Sequence, residues 1–213
     1  PLWSSTSFNG YPGITFDGTD DELTVASPLF PTGASPVEMW AVVSQDTPGT
    51  DGASRIAFSY GGTANASRRA ITRDDSASNS RIRADVGDGA SAIPVADTVT
   101  DAYYRHVIRI QVGATATTIT IDNLTPVTVN VVPSTGTTRV RIGSNTANTA
   151  ASFWLGKIRD IIVTSPLSTS EAANMWQFTM NRRAVDLVPF VNFEDILDDG
   201  AGTNTGSVET TPD

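Results

Sequence analysis

The feature that most constrains this chain is a two-residue alternation of apolar and polar side chains, repeatedly cut short by Gly, Pro, Asn or Asp. That period places successive side chains on opposite faces of a strand, whereas a helix needs a period of 3.6. "GITF" and "ELTV" open the series, with Ile14 and Phe16, then Leu23 and Val25, on one face each. "RIAFSYG", "RRAITRD", "SRIRADVG" and "YYRHVIRIQV" continue it. In the last of these, Tyr104, His106, Ile108 and Ile110 share one face, and Arg105, Val107 and Arg109 the other. "VEMWAVVS" is nearly all apolar and reads as a central strand. "TTITIDN" and "TPVTVNVV" predict a hairpin around Asp122-Asn123, and "TRVRIGS" and "KIRDIIVTS" close the run. No repeat of fixed period is present.

One segment breaks the pattern. In "LSTSEAANMWQFTMNRR", Ser168 is an N-cap and Glu171, three residues on, completes a capping box. Ala172, Met175, Trp176 and Thr179 follow at helical spacing, and Arg182 and Arg183 suit the negative end of the helix dipole. Serial strands with one late helix predict an all-β antiparallel sandwich over residues 1–183. Residues 184–213 form a C-terminal extension. Its apolar half (Val185, Leu187, Val188, Phe190, Val191, Phe193) is too short for a second domain. The polar half cannot bury enough surface to order itself, so the extension is expected to dock on a partner subunit of a homo-oligomer or larger assembly.

Composition narrows the function. The chain has 213 residues, enough for a sizeable core, and no cysteine, which excludes disulfides, cysteine–zinc sites and thiol catalysis. A net charge of -9 argues against a nucleic-acid partner. No apolar run is long enough to insert in a membrane. No basic stretch precedes an apolar one as a secretory signal would, so the protein is expected to stay in the cell or to leave by another route, such as lysis within a virus particle.

Four segments, in order, resemble the concanavalin A-like, laminin G-like jelly-roll domains of phage and bacterial surface proteins. They are "PGITFDGTDDELTV", "YYRHVIRIQV" (Tyr104 standing where the family has tryptophan), "RIGSNTANTAASFWLGKIRDIIV" and "PLSTSEAANMWQFTMNRR". In the third, Trp154, Gly156, Ile158, Asp160 and Ile161 occupy the matching positions. The resemblance spans roughly residues 10–183. It implies a jelly-roll sandwich with one late C-terminal helix, in a family of glycan binders, enzymes and structural modules. It points to a non-enzymatic phage or phage-like virion protein (fibre, spike or decoration), in the virion or extracellular, that contacts cell-surface polysaccharide and other virion proteins. The alternative is a polysaccharide lyase or glycoside hydrolase on the same fold.

Candidate sites follow. Asp17, Asp20, Asp21 and Glu22 crowd the junction of two strands. They could hold a cation, but Asp-Gly turn chemistry is the favoured reading, and the resemblance makes this a structural turn. Laminin G-like domains that bind calcium do so at loops of one sandwich rim, and the matching positions are Asp46 and Asp51 in one loop and Asn145 and Asn148 in another; two solvated loops are the favoured alternative. For glycan contact, Arg55, Tyr60, Arg81 and Arg83 lie on the middle strands, where the concave face would be; guanidinium forks suit the carboxylates of acidic sugars. The competing reading pairs these arginines with Asp74, Asp75 and Asp85 on a solvated face. Catalytic signals are thin. No strand carries the paired carboxylates of glucanases on this fold, Glu38 and Glu171 stand alone, and no nucleophile elbow exists. His106, the single histidine, alternates in phase with Ile108 and Ile110 and is expected to be a satisfied core histidine. Trp40, Trp154 and Trp176 are expected in the core, and Trp3 is undecided.

Overall fold

The computed structural model describes residues 1–8, 11–25, 30–45, 54–74, 81–98, 105–136, 139–147 and 151–183. In chain order the strands are β1 (Leu2–Phe8), β2 (Tyr11–Asp17), β3 (Leu23–Val25), β4 (Val37–Gln45), β5 (Ser54–Gly61), β6 (Arg68–Asp74), β7 (Arg81–Gly87), β8 (Ala92–Thr98), β9 (His106–Val112), β10 (Ala116–Ile121), β11 (Val127–Asn130), β12 (Arg139–Ile142) and β13 (Leu155–Thr164). One helix, α1 (Thr169–Arg183), follows them. The strands form a seven-stranded sheet, β1-β2-β13-β4-β9-β10-β11, and a six-stranded sheet, β3-β12-β5-β6-β7-β8. Every paired strand runs antiparallel to its neighbours. This is the all-β sandwich that the alternation predicted. The C-terminal extension, residues 184–213, lies outside the described residues, as do Tyr103 and Tyr104.

Two strands escaped the sequence reading, and both are sheet edges. β1 is mostly Ser and Thr, and β8 carries Pro94. An edge strand needs hydrogen-bond partners on one side only, so it tolerates a proline and a weak apolar pattern.

The core lies between the sheets. Phe16, Met39, Ala41, Val43, Phe58, Tyr60, Ile71, Ile108, Ile110 and Trp154 are buried there. Gly143, at φ 87°, sits against this core, and a Cβ on it would collide with the Phe16 ring. The β10–β11 turn is as expected. Asp122 and Asn123 have φ of 51° and 58°, and the Leu124 amide donates to the Ile121 carbonyl at 2.9 Å. Two successive left-handed residues match the right-handed twist of a hairpin.

The helix covers the opposite face of the seven-stranded sheet, where Trp40, Val42 and Val107 meet Trp176, with Leu167, Met175 and Met180 around them. The Trp40 and Trp176 rings meet edge-on, 5.0 Å apart. The capping box forms: the Ser168 amide donates to Glu171 Oε2 at 2.8 Å, and the Glu171 amide donates to Ser168 Oγ at 3.3 Å. Truncation should separate these contributions in chemical denaturation. Trp176→Ala removes the cover over Trp40 and should cost about 3 kcal/mol or more. Ser168→Ala removes one cap and should cost about 1 kcal/mol. Equal effects would mean the helix is held by its cap and not by its packing.

Candidate functional site

With α1 on the outside of the seven-stranded sheet, the other outer face is that of the six-stranded sheet. The two-residue period decides what it presents. On β6, Ile71 points inward with Arg69 and Arg73, so Arg68, Ala70, Thr72 and Asp74 point outward. On β7, Ile82, Ala84 and Val86 belong to the core, which turns Arg81, Arg83 and Asp85 outward. Register confirms the grouping: Ala70 lies opposite Asp85, Thr72 opposite Arg83, and Asp74 opposite Arg81. On β12, Val140 faces the core and Arg139 and Arg141 face outward beside it.

The outward charges are unequally satisfied. Arg83 is paired with both acids: Nη1 donates to Asp74 Oδ2 at 2.7 Å, Nη2 donates to Asp85 Oδ2 at 3.3 Å, and Nε lies at ion-pair distance, 2.9 Å, from Asp85 Oδ1. Thr72 Oγ1 also donates to Asp85 Oδ2, at 2.8 Å. Arg139 and Arg141 brace the turn after β12, donating to the carbonyls of Ala147 and Asn145, each at 2.9 Å. Arg68 differs. It is only 5% exposed, yet its Nε and Nη1 have no partner. Burial pulls its guanidinium below the usual arginine range; nearby Asp85 opposes that shift and Arg83 adds to it. The half-buried Arg81 also has a buried Nε without a partner. Sequence reasoning overlooked Arg68, although "RRAITRD" held the signal: a strand that opens with two arginines must send one to each face.

The four residues read as glycan contacts do not share a surface. Arg81 and Arg83 are on the outer face, Arg83 already paired with Asp74 and Asp85 as the competing reading had it. Tyr60 requires a correction: it is 1% exposed in the core, and its hydroxyl accepts from Arg69 Nη1 at 2.9 Å, so its ring has no open face for a sugar. Arg55 is also displaced. The β5–β6 register shifts between Ile56 and Phe58, which places Arg55 opposite the inward-facing Arg73. Its Nη1 donates to the Phe153 carbonyl at 3.2 Å and the Gly18 carbonyl at 3.4 Å. A bulge of this kind is invisible to simple alternation.

Of the calcium candidates, Asp46, Asp51 and Asn148 lie outside the described residues. Asn145 is buried, and its Oδ1 accepts the Ala147 amide at 3.2 Å, a local turn bond. The acidic junction makes backbone bonds of the kind expected of a turn. Asp17 Oδ1 accepts the Thr19 amide at 2.8 Å, which holds its carboxyl below the usual range, and Asp21 Oδ2 accepts the Asp17 amide at 3.0 Å. Glu22 reaches across to Ser144 Oγ at 2.5 Å and Arg141 Nη1 at 3.3 Å. Oxygens of Asp17, Asp20 and Asp21 lie within 4.8 Å of one another, a grouping that also arises without a cation.

The possible catalytic groups are engaged elsewhere. Glu38, 1% exposed, accepts from Arg109 Nε at 3.1 Å, Arg109 Nη2 at 3.0 Å and the Leu167 amide at 3.1 Å. Glu171 caps the helix. His106 is buried, with Nδ1 2.7 Å from Asp122 Oδ2, while Asp122 Oδ1 accepts the Val107 amide at 2.9 Å. That is the satisfied core histidine the alternation predicted. Trp40, Trp154 and Trp176 are buried, and Trp3 is exposed on β1.

No protein-family model and no curated protein sequence matches the chain. Solved structures do resemble it. The enzymatically active domain of tailspike protein 2 from bacteriophage CBA120 aligns with a TM-score of 0.56 at 13% identity, over 86% of this chain and 29% of that one. Domains LG4-5 of the mouse laminin alpha1 chain align at 0.55 and 10% identity, over 71% of this chain and 40% of that one. The CBM40 module of a Ruminococcus gnavus IT-sialidase, solved bound to alpha2,3 sialyllactose, aligns at 0.52 and 11% identity, over 72% of this chain and 97% of the module. The chain thus spans less than half of the tailspike and laminin structures. Its fold is the concanavalin A-like, laminin G-like jelly roll.

Burial raises the Tyr60 hydroxyl to about 12, with Arg69 opposing. An alkaline titration followed by tyrosinate absorbance should therefore show one phenol ionising near pH 12, above the ordinary value of about 10. The folded state keeps this proton where the unfolded chain loses it. The stabilisation is complete below pH 10 and falls as pH rises towards 12. Tyr60→Phe should abolish the late step; its persistence in that variant would assign it to another tyrosine.

Proposed function

We propose that this chain is a non-enzymatic carbohydrate-binding module of a phage or phage-like particle, with the outer face of its six-stranded sheet as the glycan-contacting surface. The observation that carries the reading is an outer sheet face that gathers Arg68, Arg81, Arg83, Arg139 and Arg141 in a protein of net charge -9. Sugars are recognised through several converging donors and acceptors, and a rigid sheet holds such groups in place. The tailspike and CBM40 likenesses support the reading at the level of fold. The positions of Glu38 and Glu171 support the absence of hydrolysis, because one is buried beneath the helix and the other caps it. Cell-surface polysaccharide, further copies of this chain and other virion proteins are the proposed partners.

A panel of bacterial surface polysaccharides tests this, read by both binding and product assays. Retention on at least one polysaccharide, without new reducing ends or unsaturated products, is the expected result. Binding to none would overturn the carbohydrate reading. Turnover would favour the degrading enzyme. Glu38→Gln should then distinguish the roles of that residue: as half of a buried pair it should cost roughly 3 kcal/mol of stability, with no specific effect on glycan retention.

A further inference from the structure

We propose that the open lateral edge of the sandwich, formed by β1 and β3, is a docking surface, and that its occupant is residues 185–193 of the same chain, which follow α1 and lie outside the described residues.

The two sheets close on one lateral side and stay open on the other. On the closed side β8 meets β10 and β11, and Ile93, Val95, Val127 and Val129 pack on the core. On the open side the edge strands are β1 and β3. Residues directly opposite one another on neighbouring strands share a face. The line Trp3–Ile14–Ile158–Val43 therefore puts Trp3 on the core side of the seven-stranded sheet. The lines Leu23–Ile142–Phe58 and Val25–Val140–Tyr60 put Leu23 and Val25 on the core side of the six-stranded sheet. Yet Trp3 is 67% exposed, Val25 48% and Leu23 36%, whereas Ile158 and Val43 on the Trp3 line are 4% and 1%. Leu2, on the other face of β1, is 77% exposed, so this edge is apolar on both faces. Its strand, "LWSSTSF", also lacks the charges and prolines that guard sheet edges; the edge strand β8, by contrast, carries Pro94 and Asp97.

The segment after α1 matches this edge. In "VDLVPFVNF", Leu187, Val191 and Phe193 share one phase of a two-residue period, and Val188 and Phe190 the other. Extended beside β1, it would offer apolar groups to both faces. No charge lies between Asp186 and Glu194, and Pro189 is tolerated in an edge strand. Reach is sufficient. The helix packs on β4 and β9, and β4 is separated from β1 by β13 and β2, about 14 Å at roughly 4.8 Å per strand. Nine extended residues span roughly 30 Å. Attachment to the same chain also gives the segment an effective concentration on the order of millimolar, which a separate copy lacks. The sequence alone suggested a partner subunit as the dock; the uncovered edge of the same chain lies nearer.

The full chain has no cysteine, so engineered pairs report proximity without interference. Leu2→Cys would be combined in turn with Val188→Cys, Phe190→Cys and Val191→Cys, and each pair oxidised in dilute solution. Leu124→Cys, on the comparably exposed β10–β11 turn, replaces Leu2→Cys as the control. A disulfide needs Cα atoms within about 7 Å of each other. At least one Leu2 pair should close within a single chain, and the Leu124 pairs should stay reduced. Trp3 gives a second readout, because the other three tryptophans are buried. The difference in fluorescence between the unaltered chain and Trp3→Phe isolates its signal. That signal should resist acrylamide in the unaltered chain, and Phe190→Asp should raise its quenching several-fold with the thermal transition retained. Should Phe190→Asp fail to fold, the disulfide yields still decide. Disulfides between copies and not within one, closure with Leu124 as readily as with Leu2, or a Trp3 freely quenched in the unaltered chain would sink the proposal. None of these readouts involves a glycan, so the carbohydrate reading stands or falls separately.

Discussion

The structure depends on a single strand that must be covered on both faces. β4 sends Val37, Met39, Ala41 and Val43 into the core between the sheets, and Glu38, Trp40 and Val42 to the other side. An antiparallel sheet can leave one face wet, but not a face that carries a tryptophan and a carboxylate flanked by apolar neighbours. The helix supplies the cover. Trp176 meets Trp40, and Arg109 lies 5.0 Å over the Trp40 ring while its fork satisfies Glu38. Glu38 in turn accepts the Leu167 amide, which ties the segment leading into α1 to the sheet. With that face occupied, the remaining outer face is that of the six-stranded sheet, on which Ala70, Thr72 and Asp85 are themselves buried.

Adjacent arginines show how the same period sends neighbours to opposite faces with different partners. Arg69 points inward and is fully exploited, linking β6 to Tyr60 and to the chain around Gly33, Ser35 and Thr135. Arg68 points outward and is left with unused donors. Both are buried arginines on one strand, one residue apart, so neither composition nor burial alone tells them apart. Only the inventory of acceptors around each one does. An inward polar network of this kind is stable because every member is satisfied.

Much of the architecture was legible in the residues themselves. The apolar run of β4, the alternation in β7 and β9, the type of turn at Asp122-Asn123, and the Ser168–Glu171 cap are local features. Their causes lie within a few residues: side-chain period, tolerance of left-handed φ, and a hydroxyl three residues from a carboxylate. The placing of Trp40, Trp154 and Trp176 in the core and the burial of His106 followed from the same periods. The acidic run after Phe16 was readable as a turn for an equally local reason, since Asp17 and Asp21 bond amides within four residues of themselves.

What the sequence by itself determined is therefore the kind of element, its face and its ends. Tertiary structure decided which faces meet, and so which polar groups keep free donors. The bulge between Ile56 and Phe58 turned Arg55 towards Gly18 and Phe153, and the stacking of the sheets closed Tyr60 inside the core. The contact between Glu22 and Ser144 joins residues 122 positions apart, and nothing local marks it. Asp85 is engaged by Arg83 and Thr72, and neither Nε nor Nη1 of Arg68 makes a hydrogen bond. Satisfaction of a buried charge is a property of every group within a few ångströms, and those groups come from distant parts of the chain.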